Sequence, residues 1–72
     1  MQETQQTATS NTYFDLVSVL YHALQEEQAS STYVQDAQQS GDQALVQFFA
    51  DVKQNASRQV DRAKELLGHV KS

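Results

Sequence analysis

The sequence predicts an all-α fold: two long antiparallel helices forming a hairpin that dimerises into a four-helix bundle. Three observations carry this expectation. The chain has no proline and only two glycines, Gly41 and Gly68, among 72 residues, so there are few places where a helix must stop. Apolar residues recur at alternating steps of four and three on both sides of Gly41, which is the helical period. At this length a lone hydrophobic core rarely supplies more than roughly 3–5 kcal/mol. The absence of cysteine removes disulfides and thiolate metal sites as reinforcement, so association with a second copy, or with another protein, is the expected source of the rest.

Residues 1–11 are polar, rich in Gln and Thr, and offer little to anchor them, so they read as a disordered tail. The first helix is expected over 12–39. Thr12 with Asp15 three residues later has the spacing of a capping box, with Asp in place of the usual Glu or Gln. Its apolar stripe runs Tyr13, Val17, Leu20 and Leu24, continues through Glu27, Ser31 and Val34, and is widened by Leu16 and Ala23. The break falls at 40–42, where Gly41 can adopt a positive φ and Asp42 can cap the next helix. A link this short makes the helices antiparallel. The second helix is expected over 43–68, with a stripe of Leu45, Phe49, Val52, Ala56, Gln59, Ala63, Leu66 and Val70 flanked by Phe48, Val60 and Leu67. Each rod would be about 40 Å long. Two stripes so broad cannot cover each other, so one side of the hairpin needs a companion. Leu20, Leu24, Phe49, Val52 and Leu66 are the candidate dimer core.

Nine acidic side chains against five basic ones give a formal charge of −4, which opposes non-specific attraction to nucleic acid and anionic membranes. No apolar run approaches the roughly 20 residues needed to span a bilayer. Residues 1–10 have no basic or apolar stretch of the secretory type. The expectation is a cytoplasmic protein with no nucleic-acid or membrane partner. Lys53, Arg58, Arg62, Lys64 and Lys71 are spread along the second helix without aromatic platforms, as solvated charges or partners of Asp51, Asp61 and Glu65.

Three polar residues fall inside the stripes: Glu27, Ser31 and Gln59. A carboxylate in a low-dielectric core costs several kcal/mol unless it is paired, hydrogen-bonded, metal-bound or protonated. Glu27 therefore has three readings. Its stem can pack while its head reaches water or pairs with Gln59 or Ser31 of either subunit; the layer can fix register and partner choice; or Glu27 can hold a metal, with Glu26 or His22 beside it. His22 lies on the side of the first helix away from Leu20, which suits a surface or edge position, and Glu26 lies about 100° round from Glu27. His69 sits near the C-terminal end of the second helix, where a cationic imidazole favours the dipole. Neither histidine belongs to an HxxxH or ExxH pair. Tyr13, Tyr21 and Tyr33 suit bundle packing with a wet hydroxyl rather than a redox role.

The phrase His22-Ala23-Leu24-Gln25-Glu26-Glu27-Gln28-Ala29-Ser30-Ser31-Thr32-Tyr33, with Asp36-Ala37, Gly41-Asp42 and Leu45 to Phe49 after it, resembles the first hairpin of the ferritin-like rubrerythrins and bacterioferritins over about residues 13–67. The resemblance implies half of a ferritin-like bundle. It also implies a di-iron site built from a first-helix glutamate and a second-helix ExxH pair. The glutamate maps onto Glu27, or onto Glu26 by local wording. The ExxH positions fall on Ala56 and Gln59, or one turn on, on Gln59 and Arg62, so both second-helix ligands are missing. No Ser-His-Asp set or phosphate-binding glycine loop replaces them. The expectation is a non-enzymatic structural or interaction module without catalytic residues, cofactor or metal. The alternative is a residual iron or manganese protein using Glu27, with Glu26 and His22. An RNA-binding hairpin dimer is a third reading, which the acidic balance disfavours.

Overall fold

The computed structural model describes residues 8–70, and over them the chain is two α-helices packed side by side, with no strand among the described residues. Helix α1 spans Ala8–Ser40 and α2 spans Gln43–Leu67. The first helix therefore begins four residues earlier than expected, and residues 8–11, read as tail, are helical. Residues 1–7 of that segment lie outside the described residues. Thr12 is inside α1 and does not cap it; it and its neighbours lack the glycine or proline that would have stopped the helix from extending.

The bend sits where Gly41 placed it. Gly41 has φ 76°, the left-handed conformation that glycine adopts without a steric cost. Its N–H donates to the Gln38 carbonyl at 3.1 Å and that of Asp42 to the Ala37 carbonyl at 3.2 Å, the paired bonds of a Schellman motif. Asp42 then caps α2, its Oδ1 accepting from the Leu45 N–H at 3.1 Å. Asp42→Ala is expected to lower stability by about 1 kcal/mol. Gly41→Ala is expected to lower it by roughly 1–2 kcal/mol, because an added β-carbon would meet nothing within 4 Å and only the backbone conformation is penalised. Urea unfolding of the two variants checks both values. At the far end α2 stops at Leu67, with Gly68 in the right-handed region at φ −72° as its cap.

The core is small in the literal sense. Among the described residues the buried apolar ones are Ala23, Ala37, Ala56, Val60 and Ala63, and the one side chain buried to below 2% is Ser30. In α1 the buried positions 23, 30 and 37 are seven apart, with half-buried Leu16 seven before them, so the seam follows a heptad. This corrects the expected α1 stripe, which is rotated from the true seam by roughly 60° at 100° per residue. Val17 and Leu24, expected at its centre, are 38% and 40% exposed. The reason is steric: two parallel rods approach most closely when the facing side chains are small, and the larger ones then lie along the edges of the contact. In α2 the stripe is right at Phe49, Ala56 and Ala63, but Val60 is buried where Gln59 was expected, and Gln59 is exposed.

The molecule is a thin slab of 49 × 27 × 14 Å. Its radius of gyration is 16.0 Å, against about 11 Å for a compact domain of this length. At about 1.5 Å per residue α1 outreaches α2 by roughly 12 Å, and Phe14, 64% exposed, stands on this overhang. Among the described residues no helix is long and apolar enough to cross a membrane.

Candidate functional site

A pair of helices has one seam and two grooved faces, and the structure divides the expected polar residues between them. One groove, of about 450 Å³, is lined by Val19, His22, Glu26, Val52, Asn55 and Gln59 over the floor made by Ala23 and Ala56. The other is lined by Ser31, Val34, Gln35, Ala50, Lys53, Gln54 and Ser57. Glu27 belongs on the side of the second groove: it is half-buried, and its Oε2 accepts from the Ser57 hydroxyl at 2.5 Å. The expected layer of Glu27, Ser31 and Gln59 therefore does not form within one chain. Ser31, half-buried, shares a face with Ser57, while Gln59 is on the opposite face.

The cause is the rotated seam. Once Ala23 and Ser30 face α2, Glu27 is turned to one edge, where it meets Ser57, and Gln59 to the other. Glu27 thus escapes the penalty of an unpaired buried carboxylate in two ways, by partial exposure and by a charge-assisted hydrogen bond. Ser57 is the partner that sequence reasoning missed, because it had no place on the expected stripe.

Of the three candidate ligands, His22 and Glu26 come together without Glu27. They are i and i+4 on α1, so their side chains share a face, and both line the groove opposite Asn55 and Gln59. His22 has its Nδ1 at 3.5 Å from the Ser18 hydroxyl and its ring edge-on to Tyr21. Glu26 has no hydrogen-bond or ion-pair partner among the described residues. The three candidate ligands are therefore split, with Glu26 and His22 on one face and Glu27 on the other. Among the described residues no three His, Asp or Glu side chains converge to hold a metal.

The candidate dimer-core residues are all accessible in the single chain. Leu20, Phe49, Val52 and Leu66 are half-buried and Leu24 is exposed. They do not share one face: Val52 and Leu66 line grooves on the His22 side, whereas Leu24 and Leu20 lie round α1 toward the side of Ser31. Tyr33 and Phe48 flank Phe49 with ring centroids 5.6 Å away, and both remain open, at 40% and 59% exposure. Of the basic residues, Arg62 pairs with Glu65 at 2.8 Å in an exposed position worth little, and Arg58 donates to Asn55.

Ser30 is the remaining polar group. It is 0% exposed and its hydroxyl has no partner among the described residues. An unmade buried hydrogen bond costs about 1–3 kcal/mol, so Ser30→Ala is expected to leave the hairpin unchanged or stabilise it by about 1 kcal/mol. The midpoint of guanidinium unfolding reads this directly, and a fall in midpoint would show that the hydroxyl is bonded in solution.

Compared with protein-family models, with curated proteins and with solved structures, the chain matches none.

Proposed function

We propose that this chain is a non-catalytic, ferritin-like helical hairpin that pairs with a second copy to complete a four-helix bundle and serves as a structural or protein-interaction module. The observation that carries the reading is the composition of the core. Among the described residues no apolar side chain larger than valine is buried, while Val19, Leu24, Tyr33, Leu45 and Phe48 are each 40–59% exposed. Burying such side chains is worth about 1.5–3 kcal/mol each, and a short chain has no other reserve of comparable size. The ferritin-like part of the reading is supported by the local sequence around the Gly41-Asp42 bend; a two-helix hairpin is shared by many unrelated proteins. Sedimentation of the untagged chain at micromolar concentration tests the proposal. A species of twice 8.1 kDa is expected, and a folded monomer at every concentration overturns it.

One observation favours a second reading. His22 and Glu26 lie one helical turn apart in the same groove, the spacing from which helices hold metals. In this reading a two-fold dimer would bring two such pairs together and hold iron or manganese at its axis. Glu27 would stay out of that site, engaged with Ser57 on the other face. Elemental analysis of untagged protein showing less than stoichiometric Fe, Mn or Zn would dispose of it.

A further inference from the structure

We infer that the second copy docks on the His22 face rather than the Ser31 face, antiparallel, with the two-fold axis passing beside Gln59. This inference rests on the self-pairing reading above and adds its face and orientation.

Area is the first argument. The chain exposes 5256 Å², against about 4,500 Å² for a compact monomer of this mass. The excess, roughly 750 Å², is close to the ~800 Å² that one partner contributes to a standard interface. Of the exposed large apolar side chains among the described residues, Val19 lines this groove, and Tyr33, Leu45 and Phe48 lie toward its turn end by helical position, whereas Val17 and Leu24 turn toward the Ser31 side and Phe14 and Tyr21 toward neither.

The second argument is that the face is its own complement under a two-fold rotation. The Glu27–Ser57 bond and the Tyr33–Phe49 contact set residue 24 of α1 level with residue 59 of α2. Measured from Gln59 along α2, Val52 and Leu66 lie seven residues to either side and Phe48 eleven before it, while Val70, eleven after it and past the end of α2 at Leu67, donates its N–H to the Leu66 carbonyl and lines the same hollow as Leu66. Seven and eleven residues of helix are about 10 and 16 Å. Both intervals return to one face of a helix. Turning a second copy end over end about Gln59 therefore sets Val52 over the partner's Leu66. It also sets Phe48 into the apolar hollow that the first copy forms from Leu16, Val19, Leu66 and Val70.

The polar residues agree with the apolar ones. His22 and Glu26 stand two residues either side of the same level on α1, so the rotation sets each His22 against the partner's Glu26. Each Asp15 likewise meets the partner's Tyr33, nine residues from the centre on the other side. Glu26, without a partner among the described residues, gains one. An isologous contact of this kind, apolar at both ends and polar at the axis, closes as a dimer and specifies its register.

The chain has no cysteine, so a single introduced thiol can form a disulfide only between copies, and only where the Cα atoms come within about 4.4–6.8 Å. Gln59→Cys on the axis is expected to give mainly covalent dimer under mild oxidation, and Lys53→Cys on the opposite face to stay unlinked. Glu26→Lys, which removes the carboxylate that faces the partner's His22, is expected to weaken association about tenfold. Adding His22→Glu to it restores the pairing with the charges exchanged. A dimer that links through Lys53→Cys and not Gln59→Cys, or that ignores the charge changes, overturns the face while leaving self-association intact. A wild-type chain that stays monomeric overturns both.

Discussion

Ala56→Leu is expected to abolish the hairpin. Ala56 is 5% exposed, in a seam whose buried members from the facing helix are alanine and serine. Three added carbons cannot be housed there without driving α1 and α2 apart. Overpacking typically costs 1–3 kcal/mol, and sometimes more. Here the separation would also loosen Val60 and Ala63 in adjoining turns, and the chain has only roughly 3–5 kcal/mol from its own core. The far-ultraviolet circular dichroism of Ala56→Leu at 25 °C should resemble that of unfolded chain. Ala44→Leu, the same exchange at an exposed position of the same helix, should melt like wild type. A cooperative melt of Ala56→Leu within a few degrees of wild type would mean that the two helices do not approach through their small residues.

The second large effect is on concentration. If folding and pairing are one event, each tenfold dilution removes about 1.4 kcal/mol of apparent stability. For a dimer of this size that lowers the melting midpoint by about 3–5 °C, so a thousandfold dilution should move it by about 10–15 °C. Calorimetry at high concentration and fluorescence from the tyrosines at low concentration span that range. A midpoint that does not move with dilution contradicts the self-pairing reading.

Much of the backbone was legible in the sequence. The absence of proline and the position of Gly41-Asp42 were enough to place the bend and the start of α2, because helix termination has few chemical solutions and this chain contains one of them. The beginning of α1 was not legible: polarity in residues 8–11 argued for a tail, but polar residues without glycine or proline extend a helix readily once it is nucleated. The face of α1 that packs was misjudged for a different reason. Ranking positions by hydrophobicity favours Leu24 and Val17, whereas the contact selects for size, and Ala23, Ser30 and Ala37 score as ordinary or polar. That one rotation carried the site with it. Glu27 was given Gln59 or Ser31 as its partner and within the chain is bonded to Ser57, and His22 and Glu26, named as possible ligands beside Glu27, line the groove on the opposite face from it. Ser30 was invisible as a core residue, since nothing in its type announces complete burial.

The 14 Å thickness of the slab is about one helix diameter, so no peptide group lies deeper than a single side chain from bulk solvent on either broad side. Deuterium uptake by such a sheet-thin object should be limited only by helix fraying, with the backbone of α1 and α2 exchanging in an end-to-middle gradient. Amides in the middle turns around residues 23 and 59 that exchange orders of magnitude more slowly than this gradient would derive their protection from whatever lies across the broad side, and the pattern of slowing would trace its footprint.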